Sequence, residues 1–259
     1  MSQSNDLPEI GTEEWLIQTG GRLTFRQAIS LSTQGSLQVV RDRLTRFTVS
    51  PNDAKSQAAR VNVARSELAS VLNTQRDRVL TRQGEALLHH ACRTYLLGAA
   101  LLSDEVFRTV NYEVAAVASL AHDDGMVNPA KPGQCFTAAS ASEVSEMMLQ
   151  LGASASSARE GRAAVISHFQ PILPKDAGPT AQMVAAGASA DVMGVGLKGL
   201  SPSLLAEIWQ EWPDSGFIPA VRGLLKGEIS RAPLTRPGVL ALSGMPYLLR
   251  PGKKRNLIS

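Results

Sequence analysis

The chain has 259 residues, 44% hydrophobic and 19% charged, with a formal net charge of +3. It is long enough for one large domain, or one domain with an extension, and its mild charge speaks against a nucleic-acid partner. Two cysteines, Cys92 and Cys135, supply neither a disulfide framework nor a Cys-x-x-Cys clip, and fit a reducing compartment as small buried hydrophobes. No uncharged apolar run reaches the roughly 18 residues of a membrane span. The polar, acidic stretch Met1–Thr12 lacks the order of a secretion signal. A cytoplasmic protein without a membrane partner is expected.

Residues 1–11 read as an adaptable lead. Glu13 to Ile17 opens a short helix before Gly20-Gly21, and Leu37, Val40, Leu44 and Phe47 recur at helical spacing between Ser36 and Thr48. Ser50-Pro51-Asn52-Asp53 is a helix-start signal, and Ala54 to Val79 reads as one or two helices. Gln83–Leu102 and Asp104–Ala121 follow as helices, the second capped by Asp104. A loop holds Asn128-Pro129 and Lys131-Pro132-Gly133. Ser140–Leu151, Ser154–Phe169 and Thr180–Val192 are further helices. The alanines and glycines of the last suit close backbone approach around a site. Trp209 and Trp212, three apart, read as one face of a core stripe. Pro233–Ser259 reads as loop-rich, with Lys253-Lys254-Arg255 as a solvated basic tail. Alternating strand patterns are nearly absent, so the fold class expected is all-α.

His122-Asp123 stands at the end of the apolar run Val114–Ala121 and is followed by Asp124-Gly125. Two unlike metal ligands side by side at the end of a buried segment are costly to leave unpaired. His90 and Asp191 stand where they could complete the site. Two imidazoles and two carboxylates form a mixed N/O set for one divalent ion, zinc first, with iron, manganese or nickel also suited. Such an ion lowers the pKa of bound water. His168 is the candidate for moving protons or for holding a second metal. Arg93, one helical turn from His90, serves equally as a structural ion-pair partner or as a catalytic substrate clamp. His89 is expected to be a neighbour rather than a ligand. Gly194-x-Gly196-x-x-Gly199 matches a dinucleotide fingerprint, but a helix rather than a strand precedes it, so the match is set aside.

His90-x-x-Arg93, His122-Asp123 and the distant Asp191 resemble the H…HD…D signature of the HD-domain metal-dependent hydrolases. His90-Ala91-Cys92-Arg93-Thr94-Tyr95 with Gly98, Cys135-Phe136, the Ala163–His168 helix end, Gly187–Gly194, Trp212-Pro213 and Gly216-Phe217 resemble the cyanamide-hydratase-like branch. The likeness covers roughly residues 60–235. It implies an HD-domain helical bundle over 61–235, after an N-terminal helical extension, 1–60, and before a loop-rich tail, 236–259. The chain departs from the branch at Asp124, where a bulky aliphatic residue is usual, and at Thr137, where a Glu is usual.

The function this implies is a metal-dependent hydrolase or hydratase adding water to a small molecule, with a nitrile- or amide-type C–N compound as substrate. The alternatives are a phosphohydrolase acting on a nucleotide or phosphomonoester, a two-iron oxygenase, and a helical regulatory protein with a vestigial site. A phosphohydrolase needs cations, and Arg93, Lys131 and Lys175 are the nearest in sequence. The first sixty residues are read as a pocket cover or as the contact of a homo-oligomer.

Overall fold

A computed structural model of the chain describes residues 8–44, 50–129 and 131–242. Its apolar periodicities resolve into helices: α1 (Glu13–Thr19), α2 (Phe25–Leu44), α3 (Pro51–Gln83), α4 (Glu85–Leu101), α5 (Asp104–Phe107), α6 (Tyr112–Ala121), α7 (Asp124–Val127), α8 (Thr137–Gln150), α9 (Ala155–Ser167), α10 (Pro179–Met193), α11 (Pro202–Glu211), α12 (Phe217–Arg231) and α13 (Arg236–Leu242). Among the described residues no strand forms, and only an isolated antiparallel bridge joins Arg22 to Thr235. The all-α expectation therefore holds. No described helix is long and apolar enough to cross a membrane.

Local chemistry explains where the helices start. Ser50 and Asp53 form a reciprocal capping box with Pro51 in the first turn, and α3 then runs unbroken past residue 60. Thr24 and Gln27 exchange the same kind of bonds, Thr24 N–H to Gln27 Oε1 at 2.9 Å and Gln27 N–H to Thr24 Oγ1 at 3.3 Å. For that reason α2 begins at Phe25, eleven residues before the expected start at Ser36. The expected position of Phe47 lies outside the described residues, as does the basic tail Lys253–Arg255.

The single helix expected over Asp104–Ala121 is two. Ser103, not Asp104, caps α5, and the Asn111 side chain accepts from Val114 N–H to start α6 afresh. Asp104 is occupied instead by Arg60 and by Ser56 Oγ. The loop-rich reading of residues 236–259 also needs correction, because Arg236–Leu242 is α13, packed against α2 and α12. Gly194, at positive φ, ends α10 as a helix cap, which agrees with setting the fingerprint aside.

Helix α4 is the centre of the packing, with α10 on one side and α3 on the other, while α6 touches α3, α4, α9 and α10. Small residues make the α4–α10 contact a backbone contact. A Cβ added at Gly187 would stand 1.8 Å from the Thr94 carbonyl oxygen, and one at Gly98 would stand 2.2 Å from that of Met183. The expected close approach through small residues is thus realised, and it carries Asp191 to the His90–Arg93 face of α4. Around this pair lie two apolar clusters. The larger joins α3, α4, α6 and α10, and the smaller joins Trp15, Leu31, Phe136, Phe217 and Leu240.

Gly187→Ala has no room to relax, because its obstacle is backbone. We expect a loss of about 1–3 kcal/mol or more in urea unfolding. Gly223, whose added Cβ meets nothing within 4 Å, tolerates the same change within about 1 kcal/mol.

Candidate metal centre

His90 comes from the middle of α4, His122 is the C-cap of α6, and Asp123 begins α7. The chain breaks between the last two: Asp123 leaves the helical conformation at φ −105°, ψ 1°. This bridge-region backbone is common at active sites, and here it brings an adjacent acid round to the face its histidine occupies. All three residues are buried, and their ligand atoms lie within 4.8 Å of one another.

The hydrogen bonds behind each ring settle which nitrogen faces inward. His122 Nδ1–H donates to the Ser119 carbonyl at 2.6 Å, and His90 Nδ1–H donates to Asp191 Oδ2 at 2.7 Å. Each therefore turns an Nε2 into the centre. Those two nitrogens are 3.1 Å apart, and each is 3.4 Å from Asp123 Oδ2. Two lone pairs facing each other at this distance repel unless a proton or a cation stands between them. Bonds of about 2.0–2.1 Å at tetrahedral or octahedral angles put neighbouring ligand atoms about 2.9–3.4 Å apart. The donor set and its spacing fit a divalent ion.

Electrostatics follow the same geometry. Burial pulls the His90 pKa down, but hydrogen bonds and charge from Asp123 and Asp191 outweigh it, and the net shift is upward. Burial wins at His122, whose pKa falls. Burial would raise the Asp123 carboxyl, yet the surrounding imidazoles and the hydrogen bond from His90 hold it below the usual carboxylate range. Of the two rings, His90 is the one whose protonated form the surroundings favour.

Asp191 occupies a different place from the one its spacing suggests. It stands behind His90, away from the convergent atoms. Its Oδ1 and Oδ2 accept from Arg93 Nε and Nη2, each at 2.9 Å, and Oδ2 also accepts from His90. The convergent set is His90, His122 and Asp123. A carboxylate behind a ligating imidazole fixes its tautomer and raises its basicity. Arg93, fully buried, also donates to the Trp212 and Pro213 carbonyls at 3.0 and 2.7 Å. Its guanidinium is enclosed by these partners and is not exposed.

His168, the C-cap of α9, reaches the group from the other side, with Nε2 3.9 Å from Asp123 Oδ1 and its ring 5.0 Å from that of His122. Its Nδ1–H donates to the Val165 carbonyl at 2.6 Å. Burial first, then the charge of His122, pushes its pKa down to about 3, so it is a neutral acceptor near neutral pH. His89 lies outside the group, edge-on to Trp212 and bonded to the Pro213 carbonyl. Asp124, adjacent to the ligand pair in sequence, points away and takes a two-bond grip from Arg82 at 2.9 and 2.7 Å. Thr137 donates to Cys135 Sγ and accepts from Arg236.

Sequence reasoning missed Phe217, which stacks on the His90 ring at 4.3 Å and 19°, and Arg236, fully buried at the start of α13. Phe217 carried a faint signal in Gly216-Phe217. Arg236 carried none, because Pro233, Pro237 and Gly238 gave its surroundings the look of a loop. In comparisons with protein-family models and with curated proteins, nothing matches the chain.

Two outcomes are expected. Asp191→Asn weakens zinc binding about 10- to 100-fold without abolishing it, whereas His122→Ala abolishes it; competition with a chromogenic chelator reads both. Because the proton on His90 competes with the cation, affinity falls about tenfold per pH unit below that residue's raised pKa. Calorimetry in buffers of differing ionisation enthalpy should register the released proton.

Proposed function

We propose that the chain is a metal-dependent hydrolase or hydratase of the HD type, adding water to a small molecule with a nitrile- or amide-type C–N bond. The observation that carries this reading is the convergence of His90 Nε2, His122 Nε2 and Asp123 Oδ2 at 3.1–3.4 Å, with both imidazole tautomers fixed from behind. Three protein ligands leave positions open, as catalytic sites do and closed structural sites do not. The likeness of the His90, His122-Asp123 and Asp191 motifs to the HD signature supports the same reading.

A bound zinc or iron would supply the acidity that turns water into a nucleophile at neutral pH. The protein supplies the rest. His90 and His122 present neutral nitrogens, Asp123 adds one negative charge, and Asp191 with Arg93 keeps His90 in its ligating tautomer. His168 Nε2, beyond Asp123 and free of a proton, accepts a hydrogen bond from water and orients it. Phe217 and Phe136 wall the rings on their far sides.

The cations named for a phosphohydrolase do not favour that alternative. Arg93 is committed to Asp191 and two carbonyls, and Lys131 and Lys175 are exposed. A two-iron oxygenase would need a second ion between His168 and Asp123, and a metal content of one per chain would exclude it.

Turnover of a panel of small nitriles and amides should require added metal and drop at least about 100-fold in His122→Ala, with helical content unchanged by circular dichroism. Turnover that survives this substitution would refute the metal mechanism.

A further inference from the structure

The guanidinium of Arg236 is fully buried, yet no carboxylate among the described residues pairs with it. Its Nη1–H donates to the Ile166 carbonyl at 2.7 Å and its Nη2–H to Thr137 Oγ1 at 2.9 Å, with Cys135 Sγ at 3.9 Å. Its Cζ stands 5.0 Å from the centre of the Trp15 ring. These contacts satisfy hydrogens but do not neutralise the charge, and a buried charge without a counter-charge is costly.

Each of these two stacked residues has a donor without a hydrogen-bond partner. Arg236 Nε–H and Trp15 Nε1–H are both buried and make no hydrogen bond. Both lack an acceptor, and one of them sits on a cation. The place is next to the reaction centre. Ile166 precedes His168 by two residues, and Phe136, between Cys135 and Thr137, packs its ring edge-on to His168 at 5.8 Å.

We propose that Arg236 and Trp15 form an anion subsite that takes a carboxylate of the substrate, so that the molecule acted on is a small carboxylic acid bearing the C–N bond. This rests on the metal-centre reading above for its placement in a reaction. A single guanidinium balances one negative charge, and a carboxylate brings one charge and two acceptor oxygens for the two unpartnered N–H groups. A phosphate monoester, with a charge of about −1.5 to −2 and three acceptor oxygens, would be under-compensated here.

The test is titration of the full-length protein with acetate, read by tryptophan fluorescence and by calorimetry, with inorganic phosphate and chloride as comparators. Acetate should bind saturably, and Arg236→Gln should weaken it at least tenfold without changing metal content. Arg236→Lys, which keeps the charge but not Nε–H, covers the case in which the Gln variant does not fold, and should also bind acetate more weakly than wild type. Absence of saturable acetate binding in the wild type, equal binding in either variant, or tighter binding of phosphate than of acetate would overturn the proposal. His122→Ala separates the two readings. It should lose metal and turnover yet keep acetate binding, whereas a wild type that shows metal-dependent turnover but no acetate binding refutes the subsite alone.

Discussion

The carboxylate of Asp191 is the hinge of the structure. It is fully buried, and it links α10 to α4 twice, through His90 and through Arg93. Removing the arginine would leave an uncompensated charge in the interior, and removing the aspartate would strand the arginine. The chain can hold such a pair only because α4 and α10 approach until glycine faces carbonyl. Packing by the smallest side chains and a buried ionic bond are here one constraint. The tautomer of His90, and with it the direction of its free lone pair, is set by that constraint.

Around this hinge the rest of the centre is assembled from helix ends. His122 and His168 are both C-caps, and each spends its Nδ1–H on a carbonyl three residues back. The same local device therefore aims two imidazoles inward with a backbone carbonyl alone behind each Nδ1. Arg93 extends the reach of the pair by gathering the Trp212 and Pro213 carbonyls, which ties the end of α11 to the back of the site.

Much of this was legible beforehand, and the gaps have physical causes. Helical periodicity revealed α3, α4, α8, α9 and α10 because each buries a long stripe against neighbours. The rarity of histidine made His90, His122 and His168 stand out, and the structure brings all three rings together with Asp123. Spacing could not say whether Asp191 faces the centre or backs a ligand, since both roles need the same residue on the same helix. Asp124 gave no sign that its charge is spent on Arg82, 42 positions earlier. Nor does a proline- and glycine-rich terminus announce a buried cation. The role of Arg236 depends on contacts with Ile166, Thr137 and Trp15, all distant in sequence. The capping pair Thr24–Gln27, by contrast, was a local signal that the expected start at Ser36 passed over, and it explains where α2 begins.

The grip of Arg82 on Asp124 has a consequence for how firmly the candidate centre is held. Arg82 and Arg78 also engage Glu143, so the residue next to Asp123 is fastened at once to α3 and, through Glu143, to α8. A carboxylate whose neighbour is anchored in this way has less backbone freedom to drift from the two imidazoles. Two imidazole nitrogens and one carboxylate oxygen suit a borderline cation better than calcium, which takes six to eight oxygens. An ion pair that touches none of the three convergent atoms thus helps to fix the backbone that presents them.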